Sequence, residues 1–213
     1  GQKLVQLTMP GVPDVYQGSE LWETSLVDPD NRRPVDLPAL HTRLRELQAL
    51  FDGAQLPRVA CGTLWTSLAD GRLKQLLTWR TLALRARCPD LFAQGSYQPL
   101  DVQGLRNEHV LAFARQQGAA RCVVLASRLL ATLCQGEPAA IGPEPWRGTS
   151  VVLPLDASDD ARGDDDWCDA LTGRRVPTLW DGQQRSVELS AAFADWPWAL
   201  LVPAALMHRS ADA

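Results

Sequence analysis

The residues richest in chemistry lie between Tyr16 and Arg33. The run Asp28-Pro-Asp-Asn-Arg-Arg-Pro34 places two carboxylates, one amide and two guanidinium groups side by side. Sugar hydroxyls both donate and accept, so Asp28, Asp30 and Asn31 can take their protons while Arg32 and Arg33 grip ring and hydroxyl oxygens in a planar fork. Read alone, the same run is a solvated turn in which acids neutralise arginines at little gain in stability. Upstream stands Pro10-Gly-Val-Pro-Asp-Val-Tyr-Gln-Gly-Ser-Glu-Leu-Trp22. A Pro-Gly-x-Pro run is by default a turn, because proline fixes φ and lacks a donor while glycine permits positive φ. It also suits a strand that opens at its end, where Tyr16, Gln17, Glu20 and Trp22 face a sugar and Gly18 lets the backbone come close to it.

Asp28 and Asp30 do not read as a catalytic pair. Retaining glycosidases hold two carboxyls about 5 to 5.5 Å apart, one kept protonated by burial and the other ionised. Two acids in one arginine-rich loop share one environment, and the arginines pull both pKa values down. A metal site is not indicated either. The five cysteines, Cys61, Cys88, Cys122, Cys134 and Cys168, show no Cys-x-x-Cys spacing and lie away from His41, His109 and His208. They read as reduced, buried thiols of a cytoplasmic protein. The acidic run Ser158–Asp166 lacks the alternating ligands, the glycine placement and the closing glutamate of a calcium loop, and reads as a solvated connection.

Composition sets the frame. A chain of 213 residues, 46% hydrophobic and 22% charged, is that of an ordinary globular protein with room for one large domain or two small ones. A net charge of −4 gives no basic face for nucleic acid. No apolar run approaches the roughly 20 residues that span a bilayer, and no leader pattern opens the chain.

The elements that must carry these residues follow from periodicity. Gln2–Met9 reads as the end of a helix leading to a strand at Val12–Tyr16. Leu37, Leu40, Leu44, Leu47 and Leu50 or Phe51 fall on one helical face, with Asp36 as N-cap, Pro38 in the first turn and Gly53 as the stop. A second helix from Asp70 or Gly71 to Arg87, ended by Pro89, has apolar residues on more than one face and should be buried between layers. Its Lys74 reads first as a snorkelling side chain and less strongly as a site residue. After Gly95 come short β-rich runs at Tyr97–Val102, His109–Arg115, Arg121–Ser127, Thr149–Leu155, Cys168–Leu171, Ser186–Leu189 and Trp198–Val202, separated by turn signals, the pattern of an antiparallel sandwich. Of the eight tryptophans, Trp65, Trp79, Trp196 and Trp198 sit in apolar segments and read as core. Trp22 is the strongest sugar-stacking candidate, with Trp146 and Trp180 weaker.

Pro10–Trp22 and Ser25-Leu-Val-Asp-Pro-Asp-Asn-Arg-Arg-Pro-Val-Asp36, in that order and spacing, resemble the last barrel strand of the α-amylase family of glycoside hydrolases and the loop after it. Asp70-Gly-Arg-Leu-Lys-Gln-Leu-Leu-Thr-Trp-Arg80, Pro89–Tyr97 and Trp167-Cys-Asp-Ala-Leu-Thr-Gly-Arg174 extend the resemblance. It implies an α+β chain: residues 1–95 as the end of a (β/α)8 barrel, and 96–213 as an all-β antiparallel sandwich. The family's nucleophile, acid/base and stabilising aspartate come from earlier strands, the last after a histidine, and no histidine here precedes an aspartate. Catalytic residues are therefore expected upstream of Gly1, with the missing barrel half as partner, and apolar residues such as Val12 and Val15 left to promote self-association. The implied parent activity is an intramolecular transglycosylation that turns the reducing-end α-1,4 linkage of a maltooligosaccharide into an α,α-1,1 linkage, without metal or organic cofactor. The alternatives are a non-catalytic carbohydrate-binding module, or the end of another hydrolase or transferase of the family.

Overall fold

The computed structural model describes residues 1–24, 32–134, 142–154 and 167–207. Before Gly95 the chain is helical: α1 (Gln2–Thr8), α2 (Leu37–Ala49), α3 (Arg58–Thr66), α4 (Arg72–Arg87) and α5 (Pro89–Ala93). Strands follow: β1 (Ser96–Pro99), β2 (Val102–Gly104), β3 (Val110–Gln117), β4 (Ala120–Ser127), β5 (Thr149–Val152), β6 (Trp167–Asp169), β7 (Arg175–Val176), β8 (Leu179–Trp180), β9 (Arg185–Glu188) and β10 (Trp198–Pro203). Single-turn helices α6 (Leu130–Leu133) and α7 (Leu189–Ala192) interrupt them, and α8 (Ala204–Met207) follows the last strand. The strands form two sheets in the orders β1-β3-β4-β10-β6-β7 and β2-β5-β9-β8, paired antiparallel.

Period-two alternation on the larger sheet divides the core. Phe113, Cys122, Val124, Leu200 and Val202 point to the helices and join Leu4, Leu7, Leu76, Leu84 and Phe92. Their neighbours Ala112, Ala114, Val123, Leu125, Ala199 and Leu201 point to the other side and meet Val151 and Val187 of the smaller sheet, with Trp146 and Phe193. β4 and β10, covered on both faces, are buried along nearly their whole length.

The helices form where their caps and faces dictate. Asp36 accepts from the Ala39 amide at 3.0 Å and Pro38 sits in the first turn, as expected. The stop differs: α2 ends at Ala49, and Gly53, at φ 58°, serves the Asp52–Gln55 turn that follows. Of the leucine stripe only Leu47 is buried, while Leu37 is 55% exposed. In α4, Leu73, Leu76, Leu77 and Leu84 pack among α1, α2, α3 and α5, in the core that the inner face of the larger sheet also joins. The expected strand at Val12–Tyr16 is extended chain without a ladder among the described residues. Pro10 and Pro13 remove two donors that pairing would need. Val12 is 95% exposed.

The run Tyr97–Val102, expected as one strand, is two. The Leu100 amide donates to Ala112 O in the larger sheet, whereas Asp101 O accepts from the Val152 amide in the smaller one, each at 3.0 Å. The chain changes sheets between Leu100 and Asp101.

Arginines tie the helical layer down. Helix C-termini leave carbonyls without intrahelical partners, and long guanidinium arms reach them. Arg85 donates to Leu7 O at 2.8 Å and Arg87 to Met207 O at 3.1 Å. Arg80 reaches Ala170 O, in the turn after β6, at 2.9 Å. Arg115, on the helix-facing side of β3 and 1% exposed, donates to Thr8 O, Phe92 O, Gly95 O and Ser96 O at 2.9 to 3.1 Å.

The turn Asp169–Arg174 fixes the far end of the larger sheet. The buried Asp169 carboxylate accepts from the amides of Leu171 and Leu200 and the Thr172 hydroxyl at 3.2, 3.1 and 2.8 Å. Burial pushes its pKa up against the pull of those donors. Arg174 pairs with Asp195. Gly173, at φ 74°, closes the turn, and a Cβ there would run into the Ala54 carbonyl. Gly173→Ala combines that clash with a left-handed backbone and is expected to cost about 2 kcal/mol. In calorimetry or a circular-dichroism melt this lowers Tm by about 4 to 8 °C; an unchanged Tm would show that the turn yields freely.

The thiols of Cys61, Cys88, Cys122 and Cys168 are buried. Burial pushes Cys61 and Cys122 up to about 12, which leaves both poor nucleophiles.

Candidate functional site

The chain between α1 and α2 is shaped from below. The Gln6 side-chain amide donates to Asp14 O at 2.8 Å, holding the extended segment against α1. The turn at residues 17–20 closes with the Ser19 amide on Tyr16 O at 3.0 Å. Gly18 sits at φ 82° with its missing Cβ 3.2 Å from Val35 Cγ2, so this glycine answers a turn and a packed valine. Past the turn, the indole of Trp22 donates to Leu68 O at 2.6 Å.

A cleft of about 330 Å³ opens here, lined by Tyr16, Gln17, Trp22, Glu23, Arg33 and Arg43 among others. A phenol, an amide, an indole, two guanidinium groups and the carboxylates of Glu23 and Asp36 meet in it. That set can stack on an apolar sugar face and exchange hydrogen bonds with its rim.

Of the residues singled out in the sequence, Tyr16, Gln17, Trp22 and Arg33 come together. Arg32 and Arg33 are both exposed, and of the two only Arg33 lines the cleft. Glu20 is not on its wall, and Glu20 Oε2 is buried with no hydrogen-bond partner among the described residues. Asp28, Asp30 and Asn31 lie outside the described residues, as does the acidic run 158–166. Sequence reasoning passed over Glu23 and Arg43. Arg43 has one visible signal, a charge inside the leucine stripe of α2, and it donates to Asp70 O at 3.3 Å. Trp146 is fully buried against Phe193, at 5.0 Å between ring centroids, and is core. Trp180 stays 38% exposed on β8, an edge strand of the smaller sheet.

Trp22 also lines a second cleft, of about 650 Å³, with Gln2, Lys3, Gln6, Lys74 and Trp198 among its walls. The Lys74 ammonium donates to Leu21 O at 2.7 Å and lies 5.0 Å from the centroid of the Trp22 ring. Burial and then Lys3 lower its pKa, opposed by Glu20 and Glu23.

Among the described residues no group of three or more His, Cys, Asp or Glu side chains is placed to hold a metal ion, and no helix is long and apolar enough to cross a membrane. The first cleft holds one carboxylate from Glu23 and one from Asp36. Asp36 is engaged in capping α2.

The chain is thus a mixed helix-and-sheet protein, with helices packed on one of two antiparallel sheets and a cleft lined by aromatic and arginine side chains. No protein-family model matches the chain. Over 200 residues, 94% of its length, the chain is 36% identical to two proteins of Mycobacterium tuberculosis, strains CDC 1551 / Oshkosh and ATCC 25618 / H37Rv, each named "Putative maltooligosyl trehalose synthase". It spans 20% of the length of these relatives. The solved maltooligosyltrehalose synthase from Arthrobacter ramosus aligns with 94% of the chain and 21% of its own, at a TM-score of 0.64 and 35% identity. A further crystal structure of a maltooligosyl trehalose synthase aligns over the same shares at a TM-score of 0.54 and 25% identity.

Proposed function

We propose that this chain is the C-terminal part of a maltooligosyl trehalose synthase of the α-amylase family, and that it holds sugar without itself carrying the acid–base chemistry. The observation that carries the reading is the cleft that gathers Tyr16, Gln17, Trp22 and Arg33, within a chain that matches those enzymes over 94% of its length. In this reading residues 1–95 end the catalytic barrel and 96–213 form the sandwich domain. The catalytic carboxylates lie upstream of Gly1, and the rest of the barrel is the partner of the helical layer. The enzyme works in the cytoplasm without a cofactor.

The reaction is a retaining one. A carboxylate attacks the anomeric carbon, the reducing-end glucose leaves, and its own anomeric hydroxyl, in place of water, captures the glycosyl-enzyme. The chemical demand on this chain is to keep the released glucose in place and water out, because capture by water gives hydrolysis. A cleft with a stacking indole and a guanidinium fork suits that demand.

Two experiments test the reading. The coding sequence upstream of Gly1 should contain an aspartate, a glutamate and a His-Asp pair in barrel context; their absence would sink it. Incubated alone with maltopentaose, the chain should form neither trehalose-ended product nor free glucose. Turnover that survives repurification and vanishes in Asp28→Asn or Asp30→Asn would make those acids a catalytic pair. Binding of maltooligosaccharide without turnover, with no catalytic set upstream, would identify a carbohydrate-binding module.

A further inference from the structure

The run Asp70-Gly-Arg-Leu-Lys-Gln75 at the start of α4 supports both the segment that carries Trp22 and the helix α2 beside it. Asp70 accepts from the Arg72 amide at 2.9 Å and from Arg72 Nε at 2.8 Å, which starts the helix. Its carbonyl accepts from Arg43, a wall of the first cleft. Gly71, at φ 77°, places its missing Cβ 3.1 Å from the Trp22 amide nitrogen and 3.3 Å from Leu21 Cα, so the Leu21–Trp22 backbone rests directly on it. Gln75 donates to Leu40 O at 3.0 Å and fixes α2, which bears the other side of the cleft. Lys74 completes the corner with two contacts to consecutive residues, the carbonyl of Leu21 and the ring face of Trp22. The indole is held from its edge by Leu68 O. Trp22 is thus fixed at edge and face, although 55% of it is exposed.

We propose that Lys74 is a positioning residue for the sugar site: its ammonium locks the Leu21–Trp22 corner so that the indole stands as the shared wall of the two clefts, and it acts on sugar only through Trp22. This rests on the reading of the cleft as a sugar site. The physical reason is entropic. An exposed indole on a chain segment without a ladder samples many orientations, and each sugar bound would have to order it. A cation above its face and a carbonyl on its N–H order it beforehand.

The test uses the 213-residue chain labelled with 15N-tryptophan, with the Trp22 indole resonance assigned by its loss in Trp22→Phe. In Lys74→Met, without sugar, the protection of that indole N–H against solvent exchange should fall by about tenfold. The resonances of the buried Trp146, Trp167 and Trp196 should stay in place and report an intact fold. Unchanged Trp22 protection in Lys74→Met would overturn the proposal. If that variant does not fold, Trp22→Leu decides: the Lys74 ε-methylene protons, shifted upfield by the indole ring current in the unsubstituted protein, should move to ordinary positions once no aromatic ring stands beside them. The same shifts in both proteins would overturn the proposal. A titration with maltotriose separates this from the sugar reading. No binding by the unsubstituted chain ends the sugar assignment and leaves the lock to be judged by the indole alone. Binding that is about tenfold weaker in Lys74→Met, with Trp22 loosened before any sugar is added, supports positioning.

Discussion

Arg115→Met is expected to destabilise the chain by about 3 to 5 kcal/mol, since hydrogen bonds to a charged group are worth about 1.5 to 3 kcal/mol each and are not additive. The guanidinium spends four donor contacts on the carbonyls of Thr8, Phe92, Gly95 and Ser96. Thr8 and Phe92 lie in the last turns of α1 and α5, where no amide can serve them. Methionine fills similar space but leaves those carbonyls buried and unpaired. Urea unfolding followed by tryptophan fluorescence should show the midpoint falling by about 1 M or more. Arg115→Lys should recover part of the loss, because an ammonium cannot span four acceptors spread over a planar fork. A midpoint unchanged in Arg115→Met would mean that water replaces the guanidinium at no cost and that the helical layer is held by its apolar contacts alone.

In the synthase proposed above, Arg33→Ala should lower kcat/KM for maltooligosaccharide by about tenfold to a few hundredfold, one decade for each ~1.4 kcal/mol of lost stabilisation. Arg33 lines the cleft beside Tyr16, Gln17 and Trp22, and sugar oxygens that it serves would lose that donor. Arg32, next in sequence but not on the wall, should show the smaller effect. If the fork helps to retain the released glucose, the products of Arg33→Ala should also move from trehalose-ended sugar toward free glucose. Arg33→Lys should rescue poorly, since a point charge does not reproduce a bidentate grip. Full activity and an unchanged product ratio in Arg33→Ala would remove this cleft from the sugar path.

Much of the architecture was legible because local rules and burial agree. The Asp36 cap with Pro38, the apolar α4 ended by Pro89, and the runs that became β3, β4, β5 and β10 all follow from caps, breakers and periodicity. Helix α3 was hidden because Val59, Gly62, Thr63 and Thr66 weaken its propensity and only Cys61 and Leu64 are buried. β7 and β8, two residues each, are too short for any periodicity to register. Trp146 misled because its sequence neighbours are proline, glutamate and arginine, the company of a loop, while its ring enters the space between the sheets.

By itself, then, the sequence determined the residue types of the site, their order, and the helices and strands with strong local signals. Those depend on interactions within a few residues, which spacing records. Only the tertiary structure decided that Arg33 and not Arg32 faces the cleft, that Arg43 joins it from α2, and that Lys74 grips Leu21 and Trp22 from some fifty positions away. It also decided that a buried arginine on β3 closes the ends of two helices. Contacts of that kind depend on where a long side chain ends once distant elements have packed, and neighbours in the chain carry no trace of it.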